Sequence, residues 1–137
     1  MSDFHISLRI YWEDTDAGGI VFYANYLKFF ERARTEWLRN LGINQFELRE
    51  QQHLQLVVVE TQAKYLNPAR LDDLLLITAQ IKEAGRASVL FEQKAFRQSA
   101  PSKQDTLLCE GLVRVACVNA DTMTPQRFPT NLITAFT

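Results

Sequence analysis

Apolar residues repeat at helical spacing in one long segment of this chain, and the segments that follow change to an alternating pattern. From Tyr23 onward, the apolar positions recur at steps of three and four, at Tyr26, Leu27, Phe30, Ala33, Trp37, Leu38 and Leu41. This spacing predicts one amphipathic helix of about 17 residues. Gly42 follows the last apolar position, as is typical of a helix C-terminus. The apolar face of this helix therefore needs another layer of structure to cover it.

The residues after the helix alternate with a period of two, which is the spacing of half-buried strands. Strands are expected at 5–12, 57–66, 74–83, 87–98 and 106–119. A short second helix is expected at 44–52, and the tail ends in a turn of helix. Loops of hairpin length join the last three strands. Antiparallel strands and one dominant apolar helix predict an α+β fold, in which a five-stranded sheet wraps around the helix.

Length and charge limit the class of protein. The 137 residues suit a single domain over 1–137, and a hydrophobic content of 47% is too high for a disordered chain. Fifteen basic and sixteen acidic residues give a formal charge of −1, with no basic stripe that would favour nucleic acid. No apolar run approaches the roughly 20 residues of a membrane-spanning helix. The first residues lack the features of a signal peptide, so we expect a cytoplasmic protein without membrane insertion.

Several chemistries lack their sequence signatures. His5 and His53 lie far apart, and Cys109 and Cys117 share one face of a predicted strand, about 26 Å apart at strand spacing. The two cysteines cannot pair with each other there and are expected to be buried free thiols. No four-ligand zinc site, serine-hydrolase elbow or nucleotide-binding glycine loop is present. We therefore expect no metal and no cofactor. The groups that remain available for catalysis are carboxylates, backbone amides and a helix end.

An acidic cluster and a glycine pair stand directly before the long helix. Asp14 or Asp16 could cap the helix, since aspartate is a favoured N-cap residue. Alternatively, Asp16 could be a general base or nucleophile beside the positive helix end, whose free N–H groups can hold an oxyanion. Gly18 and Gly19 would let the chain turn sharply and let a substrate approach the backbone. Capping alone does not require two glycines, so the spacing favours a functional site.

The same residues carry a resemblance to a known family. The segment 11–38, YWEDTDAGGIVFYANYLKFFERARTEWL, resembles the signature of the hotdog-fold acyl-CoA thioesterases. More narrowly, it resembles the Tol–Pal-associated (YbgC-type) branch, which is allied to 4-hydroxybenzoyl-CoA thioesterases, and the likeness extends through 65–77 and 113–119. The resemblance implies a curved antiparallel sheet around a long helix. It also implies a homodimer or homotetramer with active sites at the dimer interface.

The resemblance assigns roles to particular residues. It implies that Asp16 is the catalytic carboxylate and that the backbone N–H of Tyr23 polarises the thioester carbonyl, with Gly19 beside the substrate. Many Tol–Pal relatives have histidine at the position of Tyr23, whereas 4-hydroxybenzoyl-type relatives have tyrosine. Arg86 is the one residue kept from a basic cluster that contacts coenzyme A phosphates in the benzoyl-type enzymes.

The expected activity is hydrolysis of an acyl-CoA thioester to the free acid and CoA, with a short-chain aliphatic or an aromatic acyl group. One alternative is an enzyme specific for aromatic hydroxybenzoyl- or dihydroxynaphthoyl-CoA. Another is a non-catalytic module that binds acyl carrier protein or a partner in an envelope complex. The arrangement of Asp16, Gly18 and Gly19 disfavours the non-catalytic module, because binding alone does not call for it.

Overall fold

A computed structural model describes residues 4–101 and 103–137 of the chain, which contain one antiparallel sheet, three α-helices and a short 3-10 helix at Trp12–Asp14. The strands are β1 (His5–Arg9), β2 (Leu54–Tyr65), β3 (Leu74–Thr78), β4 (Gln80–Ala84), β5 (Ser88–Arg97) and β6 (Thr106–Asn119). The helices are α1 (Asn25–Asn40), α2 (Gln45–Gln52) and α3 (Thr130–Phe136). Within these residues, no helix is long and apolar enough to cross a bilayer.

The sheet order is β1-β3-β5-β6-β2, with β4 paired to β5, and every pairing is antiparallel. Helix α1 contacts β1, β3 and β5, so it lies on one face of this sheet. Strand β2 stands at one edge and is twelve residues long. The predicted α+β class is therefore confirmed.

The predicted count of five strands was wrong, because the segment expected as one strand at 74–83 forms two. The pairing of β3 with β5 ends at Ile77, and the pairing of β4 with the same strand resumes at Gln80. Between them, the N–H of Lys94 donates to Oγ1 of Thr78 at 2.9 Å, and Nε2 of Gln93 donates to the Thr78 carbonyl at 3.1 Å. Side-chain groups thus replace the main-chain ladder at this point.

Helix α1 ends at Asn40, close to Gly42, as the position of this glycine in the sequence indicated. Gly42 has a φ of 85°, which glycine adopts without the penalty of a Cβ atom. Its N–H donates to the carbonyl of Arg39, and the N–H of Ile43 donates to that of Leu38. These two bonds are the Schellman arrangement that satisfies the last helical carbonyls. In the predicted apolar stripe, Leu27 and Leu41 are exposed, and both stand at the helix ends.

A buried amide fixes α1 to the sheet. The side chain of Gln93 on β5 is fully buried, and its Nε2 donates to the carbonyl of Phe30 in α1 at 2.9 Å. Its Oε1 accepts from Nη1 of Arg34 at 2.9 Å. Burial lowers the pKa of the Arg34 guanidinium below its ordinary value, yet arginine remains protonated in proteins. Because a buried polar group without partners is costly, these bonds hold the helix at one place on the sheet.

A glycine on β6 sets the depth of α1. A Cβ atom at Gly111 would lie 2.8 Å from Cε2 of Phe30, whose side chain is fully buried. Only a residue without a side chain leaves room for that ring.

The two cysteines lie on the same face of β6, buried and free, as predicted. Burial raises the pKa of Cys109 to about 12, with a smaller contribution from Glu110. Burial also raises the pKa of Cys117. Both are therefore neutral thiols at neutral pH, which makes them unreactive.

We predict that Gly111→Ala lowers the free energy of unfolding by about 1–3 kcal/mol, because overpacking a core displaces its side chains. Denaturation in urea measures the loss. Trimming the ring with Phe30→Leu should recover part of that loss, so that the double variant is less destabilised than the sum of the two single variants. Losses that add strictly in the double variant would contradict the contact between Gly111 and the ring of Phe30.

Candidate functional site

The residues singled out by the sequence lie on a tight hairpin that leads into α1. Thr15 pairs with Val21, and the N–H of Asp16 donates to the carbonyl of Ile20 at 2.9 Å. Val21 is buried, and its N–H donates to the carbonyl of Ala69 at 2.9 Å. The hairpin, residues 14–22, is thus fastened to the loop between β2 and β3.

The carboxylate of Asp16 is exposed in the single chain and is oriented by its own turn. Its Oδ1 accepts from the N–H of Gly18 at 2.8 Å, and its carbonyl accepts from the N–H of Gly19 at 3.0 Å. Among residues 4–101 and 103–137, nothing donates a hydrogen bond to Oδ2. One oxygen is therefore held, and the other is available to a water molecule or a substrate.

The alternative that Asp14 or Asp16 caps α1 was wrong. The residue before the helix is Ala24, and no described side chain caps this helix end. Oδ2 of Asp14 instead accepts from the N–H of Tyr11 at 2.8 Å. Both aspartates complete local turns upstream of the helix.

The two glycines meet different requirements. Gly19 has a φ of 83°, in the left-handed region, and the space where its Cβ would stand has no atom within 4 Å. A Cβ at Gly18 would lie 3.2 Å from Oδ1 of Asp16. Gly19 therefore makes the turn and leaves open space beside the backbone, whereas Gly18 lets its amide reach the carboxylate.

The backbone N–H of Tyr23 is available at the positive end of α1. The helix begins at Asn25, two residues later than predicted. The N–H groups of Asn25, Tyr26 and Leu27 donate to carbonyls three residues earlier. The N–H of Tyr23, by contrast, has no acceptor in the described part of the chain. An unpaired amide at a helix N-terminus is a donor for developing negative charge.

A groove lined by tyrosines lies beside this amide. The ring centroids of Tyr23 and Tyr65 are 5.9 Å apart, and those of Tyr26 and Tyr65 are 5.7 Å apart. The groove has a volume of about 300 Å³, and its other lining residues are Ile20, Val21, Leu66, Asn67 and Pro68. Burial, with a smaller effect of Cys109, raises the pKa of Tyr26 to about 12, and burial also raises the pKa of Tyr65. The lining is therefore uncharged at neutral pH.

Sequence reasoning missed Asn25. Its Nδ2 donates to the carbonyl of Asp14 at 2.9 Å, which joins the start of α1 to the base of the hairpin. The available signal was an amide side chain in the otherwise aromatic and aliphatic run IVFYANYL.

Arg86 is not brought to this site within one chain. It is exposed in the turn between β4 and β5, two residues before Ser88. Tyr65, which contacts Tyr23, lies level with Ala95 across the intervening strand β6. Ser88 is seven residues from Ala95 along β5, a length of about 23 Å at strand spacing. Arg86 therefore stands near the opposite end of the sheet.

A carboxylate, a free amide and an uncharged groove at one corner of the molecule suit attack on a carbonyl carbon that carries an apolar group. The carbonyl of Ile20 accepts from the N–H of Asp16, which places these two residues side by side. Tyr23 follows Ile20 by three residues, a distance of at most about 11 Å along an extended chain. Within the described ranges, no three His, Cys, Asp or Glu side chains are grouped so that they could hold a metal ion.

Comparison with known proteins shows the family of this chain. The model of the thioesterase superfamily matches residues 18–111. Over 133 residues the chain is 44% identical to the acyl-CoA thioesterase YbgC of Haemophilus influenzae, covering 97% of this chain and 93% of that protein.

Solved structures share the fold of this chain. A probable thioesterase from Bartonella henselae is similar, with a TM-score of 0.85 and 31% identity over 93% of this chain and 100% of the other. A 4-hydroxybenzoyl-CoA thioesterase in complex with 4-hydroxybenzoyl-CoA has the same fold, with a TM-score of 0.87 and 21% identity over 97% of each chain. The expected hotdog fold is confirmed.

We predict that Gly19→Ala lowers the free energy of unfolding by about 1–2 kcal/mol, because alanine in the left-handed region brings its Cβ too close to the backbone. Gly18→Ala should cost clearly less, since the atom it meets belongs to an exposed side chain that can move. Urea denaturation of both variants compares them. A loss at Gly18→Ala equal to that at Gly19→Ala would contradict the separate roles.

Proposed function

The chain belongs to the thioesterase superfamily, and from this membership we infer that it is an enzyme that hydrolyses acyl-CoA thioesters. We propose that Asp16 is its catalytic carboxylate and that the N–H of Tyr23 activates the carbonyl. The observation that carries this proposal is that Oδ2 of Asp16 and the N–H of Tyr23 both lack partners among the described residues, on one hairpin–helix unit.

The reaction needs a new bond to the carbonyl carbon and loss of the thiolate. As a general base, Asp16 takes a proton from a water molecule whose oxygen attacks the carbon. As a nucleophile, it attacks directly, and water then hydrolyses the mixed anhydride. In both routes the C–S bond breaks, the thiolate of CoA takes up a proton, and the N–H of Tyr23 donates to the carbonyl oxygen. One such donor contributes about 3 kcal/mol to transition-state stabilisation.

The groove beside Tyr23 is proposed to take the acyl group. Its uncharged lining suits a short aliphatic or an aromatic acyl chain, and the open space beside Gly19 lets the thioester approach the backbone. The three tyrosine rings favour an aromatic acyl group as the second candidate, because aromatic rings pack edge-to-face on one another. A panel of aliphatic and aromatic acyl-CoA substrates, compared by kcat/KM, separates the two.

We propose that the site is completed in a homodimer joined along β2. This strand is a twelve-residue sheet edge, and Val58 and Val59 on it are 49% and 56% exposed. An exposed edge of this length pairs readily with another strand. A two-fold axis beside β2 would reverse the second copy, which brings Arg86 of the partner subunit towards the end of β2 that holds Tyr65. Arg86 could then contact the phosphates of coenzyme A.

We also propose a higher assembly, a second partner and a cellular location for this protein. A homotetramer would pair two such dimers, and residues 1–137 would form a single domain. Acyl carrier protein is a second candidate partner, since its prosthetic arm carries the same thioester bond. Buried neutral thiols and an acyl-CoA substrate fit the cytoplasm.

We predict that Asp16→Asn lowers kcat/KM for acyl-CoA by at least about 100-fold, because asparagine cannot accept the proton or attack. The variant should unfold at the wild-type urea concentration, since its Oδ1 can still accept from Gly18. Release of CoA measured with a thiol dye follows the reaction. Asp105→Asn is the matched control, because Asp105 is exposed and also accepts a backbone bond, from Ser99. Full activity of Asp16→Asn would remove Asp16 from the chemistry.

We predict that the wild-type protein has the mass of two chains or a multiple of two in light scattering. Val58→Lys combined with Val59→Lys should produce monomers with reduced activity, because charges then face each other across the edge. Met123→Lys alters a similarly exposed apolar side chain in the loop after β6 and should leave the mass unchanged. A wild-type monomer at micromolar concentration would contradict the proposed interface.

A further inference from the structure

One carbonyl joins the hairpin to the helix. The carbonyl oxygen of Asp14 accepts from the N–H of Phe22 at 3.0 Å and from Nδ2 of Asn25 at 2.9 Å. The first bond closes the base of the hairpin, and the second reaches across to the first residue of α1. Asn25 is half-buried, so this bond is partly shielded from competing water.

Asp14 and Asn25, which form the second bond, are each fixed by a further hydrogen bond. Oδ2 of Asp14 accepts from the N–H of Tyr11, and the N–H of Asn25 donates to the carbonyl of Phe22 at 2.9 Å. The bond therefore connects two ordered segments and leaves little freedom between them.

This bond brackets the two proposed reactive groups. Asp14 lies two residues before Asp16, and Asn25 lies two residues after Tyr23. If this side-chain bond is lost, the turn bond from the N–H of Asn25 to the carbonyl of Phe22 remains, but the orientation of the hairpin relative to the helix is less restricted. The separation of the carboxylate from the amide changes with it.

We propose that Asn25 is a positioning residue for thioester hydrolysis, which fixes the Asp16 carboxylate relative to the Tyr23 amide. The inference rests on the proposed function. Asn25 contributes through the Asp14 carbonyl, and its effect is on the alignment of the reacting groups. A displacement of about 1 Å in such an alignment can lower the rate about 100-fold.

The hydrogen bond to the Asp14 carbonyl explains why residue 25 has an amide side chain. An acceptor carbonyl needs an N–H donor, and aspartate of the same shape offers none at neutral pH. Leucine has a similar size and no polar atom. Aspartate is also favourable in the first turn of a helix, so Asn25→Asp removes the bond without weakening the helix start.

The test is a double-mutant cycle with Asp16→Asn. We expect Asn25→Leu and Asn25→Asp to lower kcat by about 10- to 100-fold while KM stays within about threefold, because the bond aligns reacting groups. In the Asp16→Asn background, the same changes should lower the residual rate by less than about threefold, since no carboxylate is left to align. The control is Asn44→Ala, which removes the N-cap of α2 and should leave kcat unchanged.

Two outcomes would overturn the inference. An equal fall in both backgrounds would mean a structural role, and a wild-type kcat in the Asn25 variants would mean no role. Full activity of Asp16→Asn alone would instead contradict the proposed function. Should Asn25→Leu not fold, Asn25→Asp carries the same comparison.

Discussion

The buried side chain of Gln93 determines how the rest of this structure is arranged. It is fully buried on β5 and bonds to the carbonyl of Phe30, the carbonyl of Thr78 and the guanidinium of Arg34. All its polar atoms are satisfied only when α1 sits at one position on the sheet, because an unpaired buried amide costs about 1–3 kcal/mol. Where Gln93 bonds to the carbonyl of Thr78, the segment 74–84 is divided into β3 and β4. Gly111 then limits how far the helix can approach, since the ring of Phe30 occupies the place of a side chain.

The fixed helix determines what its N-terminus can do. Because α1 is held along its middle, its first turn and the unpaired amide of Tyr23 are held as well. The hairpin that carries Asp16 is fastened to the loop at Ala69 through the N–H of Val21 and to the start of α1 through the side chain of Asn25. The two proposed reactive groups thus come from adjacent segments that Asn25 joins. This arrangement orients an exposed carboxylate without burying it.

The sequence predicted most of the fold, because periodicity reports which face of each element is buried. The long helix and the strand over 106–119 followed from spacing, and the stop at Gly42 followed from residue type. The break at Thr78 could not be predicted, since a side chain that replaces a ladder bond leaves no trace in the hydrophobic pattern. The interactions of Asn25 and Gln93 were also missed, because each depends on which backbone carbonyl the fold places next to the amide side chain. Asp16 was proposed from residue type and spacing and Tyr23 from the family resemblance, whereas the distance of Arg86 from them required the strand register.

We propose that the thioester of the substrate lies between the carboxylate of Asp16 and the amide of Tyr23. A crystal structure of Asp16→Asn with an aromatic or short-chain acyl-CoA measures this most directly. We expect a carbonyl oxygen about 3 Å from the backbone nitrogen of Tyr23 and a carbonyl carbon next to the side chain at position 16, within reach directly or through one water. A thioester bound away from the hairpin, with the amide of Tyr23 facing solvent, would contradict it.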